Sequence, residues 1–205
     1  MELDPHTPVE GRYLIHSLYF DDYKDQSLYT NDSGLSKRYK WRIRYYGDDL
    51  NYIVLEKKEK LDSRCHKKSC KITIDEYHKI VDGNILDIVY DTDKKLLKEL
   101  ASDILMYNYI PKVIVDYERI AYVEEITNVR ITFDMKISAS YELAHFLDGD
   151  YTKFYIQPSN MNVLEVKFDE ILPSYLRNLI ESYNFEQSSF SKYYYCRKII
   201  DCYMR

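Results

Sequence analysis

A length of 205 residues suits one domain with a sizeable core, and a net charge of −5 excludes a generally basic, polyanion-coated surface. Tyrosine is abundant at 23 residues while glycine and proline number five each, which argues for a regular, strand-rich fold and against disorder. No apolar run approaches the ~20 residues that span a bilayer and no signal peptide is visible, so Cys65, Cys70, Cys196 and Cys202, at spacings that match no zinc ribbon or finger, read as free thiols of a cytoplasmic protein.

In chain order, residues 12–20 predict a strand, and 21–34 a polar loop or short helix. A strand over 38–46 follows. Gly47-Asp48-Asp49 is a turn signal, and 51–60 reads as the second strand of a hairpin. Residues 61–70 read as a basic loop and 71–74 as a short extended piece. Asp75 is the predicted N-cap of a helix over 76–82. Apolar residues at 96, 97, 100, 104 and 105 give a helical spacing over 94–105. Strands at 112–123 and 128–138 precede a low-signal loop over 139–161 and a strand at 162–168. A helix starts near Pro173, at a first helical position. The tyrosine-rich end, 189–203, fits either strand or helix. No internal repeat or low-complexity linker divides the chain, which reads as one domain over 1–205.

The strand at 38–46 is the most informative. With a period of two, Arg38, Lys40, Arg42 and Arg44 share one face, and Tyr39, Trp41, Ile43 and Tyr45 the other. Successive cations on that face stand about 6.6 Å apart and repel one another. Other strands follow suit. Val54 shares a face with Glu56, Lys58 and Lys60. Val113, Val115 and Tyr117 lead to Arg119. Arg130, Thr132, Asp134 and Lys136 oppose Val129, Ile131, Phe133, Met135 and Ile137, and Glu165 and Lys167 oppose Leu164, Val166 and Phe168. Two arrangements satisfy this pattern. One is an ordinary antiparallel sheet with a wet, ion-paired face. The other is an α+β fold in which the charged faces converge inside a closed or nearly closed antiparallel barrel, a tunnel with a basic lumen and helices packed outside. Trp41, Phe133 and Phe168 are too large to leave exposed, which favours the second, with helices at 76–82, 94–105 and 173–182 as the cover.

Six segments then carry a resemblance: His16-Ser17-Leu18-Tyr19-Phe20-Asp21-Asp22, the strand from Arg38 to Tyr46, Leu55-Glu56-Lys57-Lys58, Val129-Arg130-Ile131-Thr132-Phe133-Asp134, Val163-Leu164-Glu165-Val166-Lys167 and Ser189-Phe190-Ser191-Lys192-Tyr193. In this order the chain resembles, from about residue 12 to about 198, the VTC domain, the polyphosphate polymerase member of the CYTH-like triphosphate tunnel metalloenzymes. The resemblance implies a tunnel of antiparallel strands in which Arg42, Arg44, Lys58, Lys67, Tyr117, Arg119, Arg130, Ser191 and Lys192 contact phosphates. Within that set it assigns the catalytic charges to Arg42, Arg44, Lys58, Arg119, Arg130 and Lys192. Glu165 matches the carboxylate that binds a divalent metal, Mn²⁺ or Mg²⁺. Some relatives carry a further lysine three residues before Lys192, where this chain has Ser189. Relatives also begin with a strand and helix ahead of the position of Arg12, so the resemblance implies that the first tunnel strand is absent here, with an open sheet edge and a lost phosphate contact.

Several residues keep a second reading. Lys67 is either a ligand or a solvated loop charge, with Lys68 as the register alternative. Glu165 either holds metal or pairs with Lys167 or a facing arginine, and Glu56 either helps hold metal or orients Lys58 and the arginines. Asp134 reads as the partner of an arginine, and Tyr193 to Tyr195 as packing. Of His6, His16, His66, His78 and His145, which form no ligand cluster, only His66 falls within the basic segment.

The resemblance implies transfer of the γ-phosphate of ATP to a polyphosphate chain, impaired if the first strand is missing. Electrostatics and positioning dominate such chemistry, and an ionised phosphate oxygen needs no His or Ser nucleophile. The alternatives are a metal-dependent hydrolase of tripolyphosphate or nucleoside triphosphates, and a noncatalytic polyphosphate-binding module. Nucleic acid is not an expected partner, because the aromatics lie opposite the basic row rather than among it.

Overall fold

The computed structural model describes residues 1–5, 7–8, 11–32, 37–61, 64–183, 185 and 187–204. Among them, nine strands pair antiparallel in one sheet: β1 (Glu2–Leu3), β2 (Tyr13–Asp21), β3 (Lys37–Tyr46), β4 (Asp49–Leu61), β5 (Arg64–Ile72), β6 (Ile110–Glu124), β7 (Val129–Ser140), β8 (Phe154–Tyr155) and β9 (Val163–Lys167). The order is β5-β4-β3-β2-β6-β7; β8 and β9 both pair with β7, and β1 pairs with β6. No ladder among the described residues joins β5 to β9. Among the described residues the sheet is thus open, and closure of the closed or nearly closed barrel expected from the sequence is not confirmed.

The helices are α1 (Gln26–Asp32), α2 (Ile74–Val81), α3 (Ile85–Asp91), α4 (Lys95–Tyr107), α5 (Ser174–Glu181) and α6 (Lys192–Tyr203). Helices α2 to α4 cover one face of β2, β3 and β4, where Leu18, Trp41, Ile43, Leu55, Leu97 and Leu100 are fully buried together. Lys57 lies on this face too. Its ammonium sits over Tyr39 and Trp41 and pairs with Glu99, so the long side chain packs against the rings while its charge is met by a helix carboxylate. Leu176 of α5 packs on Val129 and Ile131 of β7.

Helix α6 departs from the expectation that helices lie outside. Tyr193, Cys196 and Ile200 pack against Ile15, Tyr19, Val113, Val115 and Tyr117, residues of the same sheet face as the basic row. Those strand positions are apolar, so that half of the concave face needs an apolar cover, and α6 supplies it. A bulge in β7 assists. Register shifts where Lys136 adopts φ +51°, and Ile137 moves from the face of Met135 to that of α6.

Other boundaries also differ from the sequence reading. Residues 64–72 form β5 rather than a loop; cations on both of its faces hide the alternation, and carboxylates on β4 and α4 meet them. Thr73, not Asp75, caps α2: its hydroxyl accepts from the Glu76 amide, and the Glu76 carboxylate accepts from the Thr73 amide. Helix α3, only seven residues long, was too short to declare itself, and Pro173 stands at the N-cap of α5 rather than inside it. Segment 139–161 contains β8 and a short 3₁₀ turn at Leu143–His145. Phe168 falls beyond β9 and is 45% exposed, so it is not the buried residue its size suggested. The four cysteines are free thiols, and no helix among the described residues is long and apolar enough to cross a membrane.

Leu100 has no exposed surface and sits where α4 meets the sheet. Replacing it with alanine should cost about 2–5 kcal/mol. Denaturant unfolding should show a lower midpoint at unchanged slope; an unchanged midpoint would mean that α4 does not anchor the sheet.

Candidate functional site

The period of two in β3, β4 and β5 and the antiparallel register bring the charged residues to one place. Arg42 faces Glu56, Arg44 faces Val54 beside it, and Lys58 faces both Lys40 and Lys67. On the other side Arg119 faces Asp134, and Thr132 faces Glu165. Between these walls and the start of α6 lies a cavity of about 430 Å³. Nine Lys and Arg residues line it, with a single carboxylate, Glu165.

Glu56 organises one wall. Its Oε2 accepts from Arg42 Nε at 2.6 Å and its Oε1 from Lys67 Nζ at 3.0 Å, and Arg44 Nη1 stands 3.8 Å away. Tyr19 accepts from Arg42 Nη1 at 2.9 Å. Ser17 and Tyr117 accept from Arg44 Nε and Nη2 at 3.1 and 3.0 Å. Burial works against the Glu56 charge, but Arg42, Arg44 and Lys67 outweigh it and hold the carboxyl down at about 2.

Asp134 organises the other wall. It takes both arms of Arg119, at 2.6 and 2.8 Å, and also Lys192 Nζ. Burial raises its pKa, yet the hydrogen bond from Arg119 and the charge of Lys192 leave it lowered. Lys192 lies over Tyr117, and Ser191, the N-cap of α6, accepts from the Tyr194 amide and from Lys40 Nζ at 3.0 Å. Lys40 also stands over the Tyr193 ring. Its ammonium is pushed down to about 7 by burial first, then by Arg38 and Lys58.

Arg42, Arg44, Lys58, Tyr117, Arg119, Glu165, Ser191 and Lys192 thus line one cavity. Lys67 backs it through Glu56. Register decides between the two lysines: Lys67 points with Lys58, whereas Lys68 pairs with Glu59 and Glu99 on the opposite face, as His66 does by its place opposite Glu59. Arg130 is the exception. It lies outside this cavity, in a second one, and pairs with Asp4 at 2.8 Å. Asp134 is an arginine partner, and Glu56 orients arginines. The sequence reading assigned no phosphate contact to Lys40, Lys60, Lys167, Tyr19 or Tyr193, all of which line the cavity. The same alternation that marked Arg42 marks Lys40 and Tyr19; what was missing was α6, whose position no strand period reveals.

A divalent cation has limited protein ligands here. Arginine and lysine hydrogen bonds take up Glu56 and Asp134. Glu165 meets Lys167 at 3.2 Å and Arg119 at 3.7 Å, and burial is outweighed by Lys167 and Lys192 in lowering its pKa. Among the described residues no three His, Cys, Asp or Glu side chains converge on one point. Mg²⁺ and Mn²⁺ commonly take one or two carboxylates and complete their shell with water and substrate phosphate oxygens. Glu165 fits a cation of that kind and does not fit one held by protein alone.

The family model of the VTC domain matches residues 1–200. No curated protein matches this sequence. The fold is similar to that of a candidate adenylate cyclase from Bacillus halodurans, at 10% identity and a TM-score of 0.53, over 91% of this chain and 82% of that one. A candidate adenylyl cyclase from Hippeastrum, described as having a dominant triphosphatase activity, aligns at 14% identity and a TM-score of 0.48 over 83% of this chain and 72% of that one, too low to carry an argument.

Glu56→Gln tests the first wall. The folded pKa of about 2 lies below the ordinary 4.5, so the charged carboxylate stabilises the fold above that ordinary value and the contribution is lost as pH falls through about 2. The substitution should cost about 3 kcal/mol at neutral pH. Denaturant unfolding of both proteins should give a difference that shrinks on acidification below about pH 4.5; a pH-independent difference would refute the charge argument.

Proposed function

The chain belongs to the VTC domain family, and on that premise we propose that it is a phosphotransferase that moves the γ-phosphate of ATP onto a polyphosphate chain. One observation carries the reading: a cavity lined by nine cations and one carboxylate in a protein of net charge −5. Glu56 and Asp134 offset part of that charge from behind the lining, and a polyanion is suited to the remainder.

Arg42, Arg44 and Arg119 supply planar donors for nonbridging oxygens, and Lys58 and Lys192 supply point charges. Their bonds to Glu56, Asp134, Tyr19 and Tyr117 fix these groups before substrate arrives, so little reorganisation is needed as charge shifts in the transition state. The terminal oxygen of the chain, already ionised, attacks the γ-phosphorus; the bond to the β-phosphate oxygen breaks and ADP departs with that electron pair. Glu165 would hold the Mn²⁺ or Mg²⁺ that accompanies the phosphates, which would supply charge neutralisation there. Lys67 acts on Arg42 through Glu56, as a positioning residue.

A hydrolase is the second reading, favoured by the absence of a β5–β9 ladder among the described residues, an opening that would admit a water nucleophile. Product analysis separates the two. With ATP, Mn²⁺ and a short polyphosphate primer, the wild type should lengthen the primer and release ADP. Arg42→Ala/Arg44→Ala should lower that rate by about 10²-fold or more. Orthophosphate without primer growth would move the assignment to the hydrolase. Tripolyphosphate binding without turnover would leave a noncatalytic polyanion-binding module.

A further inference from the structure

The inner row that begins with cations ends in rings. Beyond Arg42 and Arg44 on β3 comes Tyr46, and beyond Glu56 and Val54 on β4 comes Tyr52. Their ring centres are 6.5 Å apart, and Tyr13 of β2 lies 6.0 Å from Tyr46. These tyrosines line a second cavity, of about 960 Å³, at the foot of the basic rows.

The two cavities have opposite charge. The upper one has nine cations to one carboxylate. The lower one has two arginines to four carboxylates, and both arginines are engaged, Arg12 with Glu118 at 3.2 Å and Arg130 with Asp4 at 2.8 Å. A phosphate chain gains nothing by entering it. Aromatic faces beside carboxylates suit a planar base and a ribose: bases stack on rings whatever their identity, and a carboxylate accepts from ribose hydroxyls. Asp48 and Asp49, in the turn between β3 and β4, place such oxygens at the rim.

Arg44, in the lining of the basic cavity, stands beside Tyr46, in the lining of the second. Its guanidinium carbon is 5.9 Å from the centre of the Tyr46 ring, and its Nη2 bonds Tyr117 in the upper wall. A triphosphate held by Arg42 and Arg44 therefore has the tyrosines one strand repeat further on, about 6.6 Å. We propose that the Tyr46–Tyr52 layer is the nucleoside subsite of this protein, stacking the base of a nucleoside triphosphate whose phosphates occupy the basic cavity. The assignment rests on the phosphate reading above. It gives the nucleotide donor of that reading a base end distinct from its phosphate end within one sheet face.

Calorimetric titration of the whole chain with ATP and, separately, with tripolyphosphate tests it. Tyr52 is 51% exposed, so Tyr52→Ala removes the ring without opening the core. ATP affinity should fall about tenfold in Tyr52→Ala and return in Tyr52→Trp, with tripolyphosphate affinity unchanged throughout. Tyr46→Leu should act in the same direction. ATP binding indifferent to both substitutions, or an equal loss for both ligands, overturns the subsite while leaving the phosphate site standing. Failure of the wild type to bind tripolyphosphate overturns the phosphate reading and the subsite with it.

Discussion

Everything at this site depends on how a row of like charges is held together. Two unit charges about 6.6 Å apart repel by roughly 2–3 kcal/mol at an effective dielectric of 20. The chain offsets this by placing one buried carboxylate inside each wall. Glu56 takes up Arg42 and Lys67 and lies near Arg44, and Asp134 takes up Arg119 and Lys192. Arginine and lysine take up both acids, and neither is among the residues that line the cavity. Each offsets the charge of the lining cations from behind.

Helix α6 completes the site because its own anchor lies elsewhere. Tyr193 donates to Asp21, which also accepts from the amides of Ser27 and Leu28 at the start of α1, and Arg197 bonds Asp25. Asp25 also meets Lys112 of β6. The loop after β2, the helix and the sheet are thus tied through two carboxylates, and the first turn of α6 has little freedom. That is what puts Ser191 and Lys192 opposite the basic strand instead of in solvent.

The legible part of this protein was what a period of two can express. Arg42, Arg44 and Lys58 on one face, with Trp41, Ile43 and Leu55 on the other, follow from alternation, and the observed ladder confirms those faces. Three things lay beyond that signal. Strand β5 carries cations on both faces, so nothing alternates until its partners are known. Helix α6 packs on the concave face because Val113, Val115 and Ile137 need cover there, a tertiary demand that its own sequence states only weakly. Arg130 has the parity of a site residue, but the shear between strands carries it past the end of the basic cavity, and parity cannot report distance along a strand. The expected closure of the sheet rests on converging charged faces and large apolar residues and then on the family resemblance, and the described ladders do not confirm it.

Lys40 shows what the remaining imbalance amounts to. Its ammonium has Ser191 and the Tyr193 ring as neighbours on α6, with Arg38 and Arg42 along its own strand and Lys58 across; Asp21 is the carboxylate that favours its charge. With burial and three cations against one acid, it sheds its proton near pH 7 rather than near 10.5. The unfolded chain then binds more protons than the folded one between those values, so this group's contribution is fully present above about 10.5 and is lost as pH falls through that window to about 7. On the phosphate reading proposed above, an anion among these cations would favour the charged amine, and its uptake near neutral pH would carry a proton with it. On that same reading, the wall would become fully charged only when occupied.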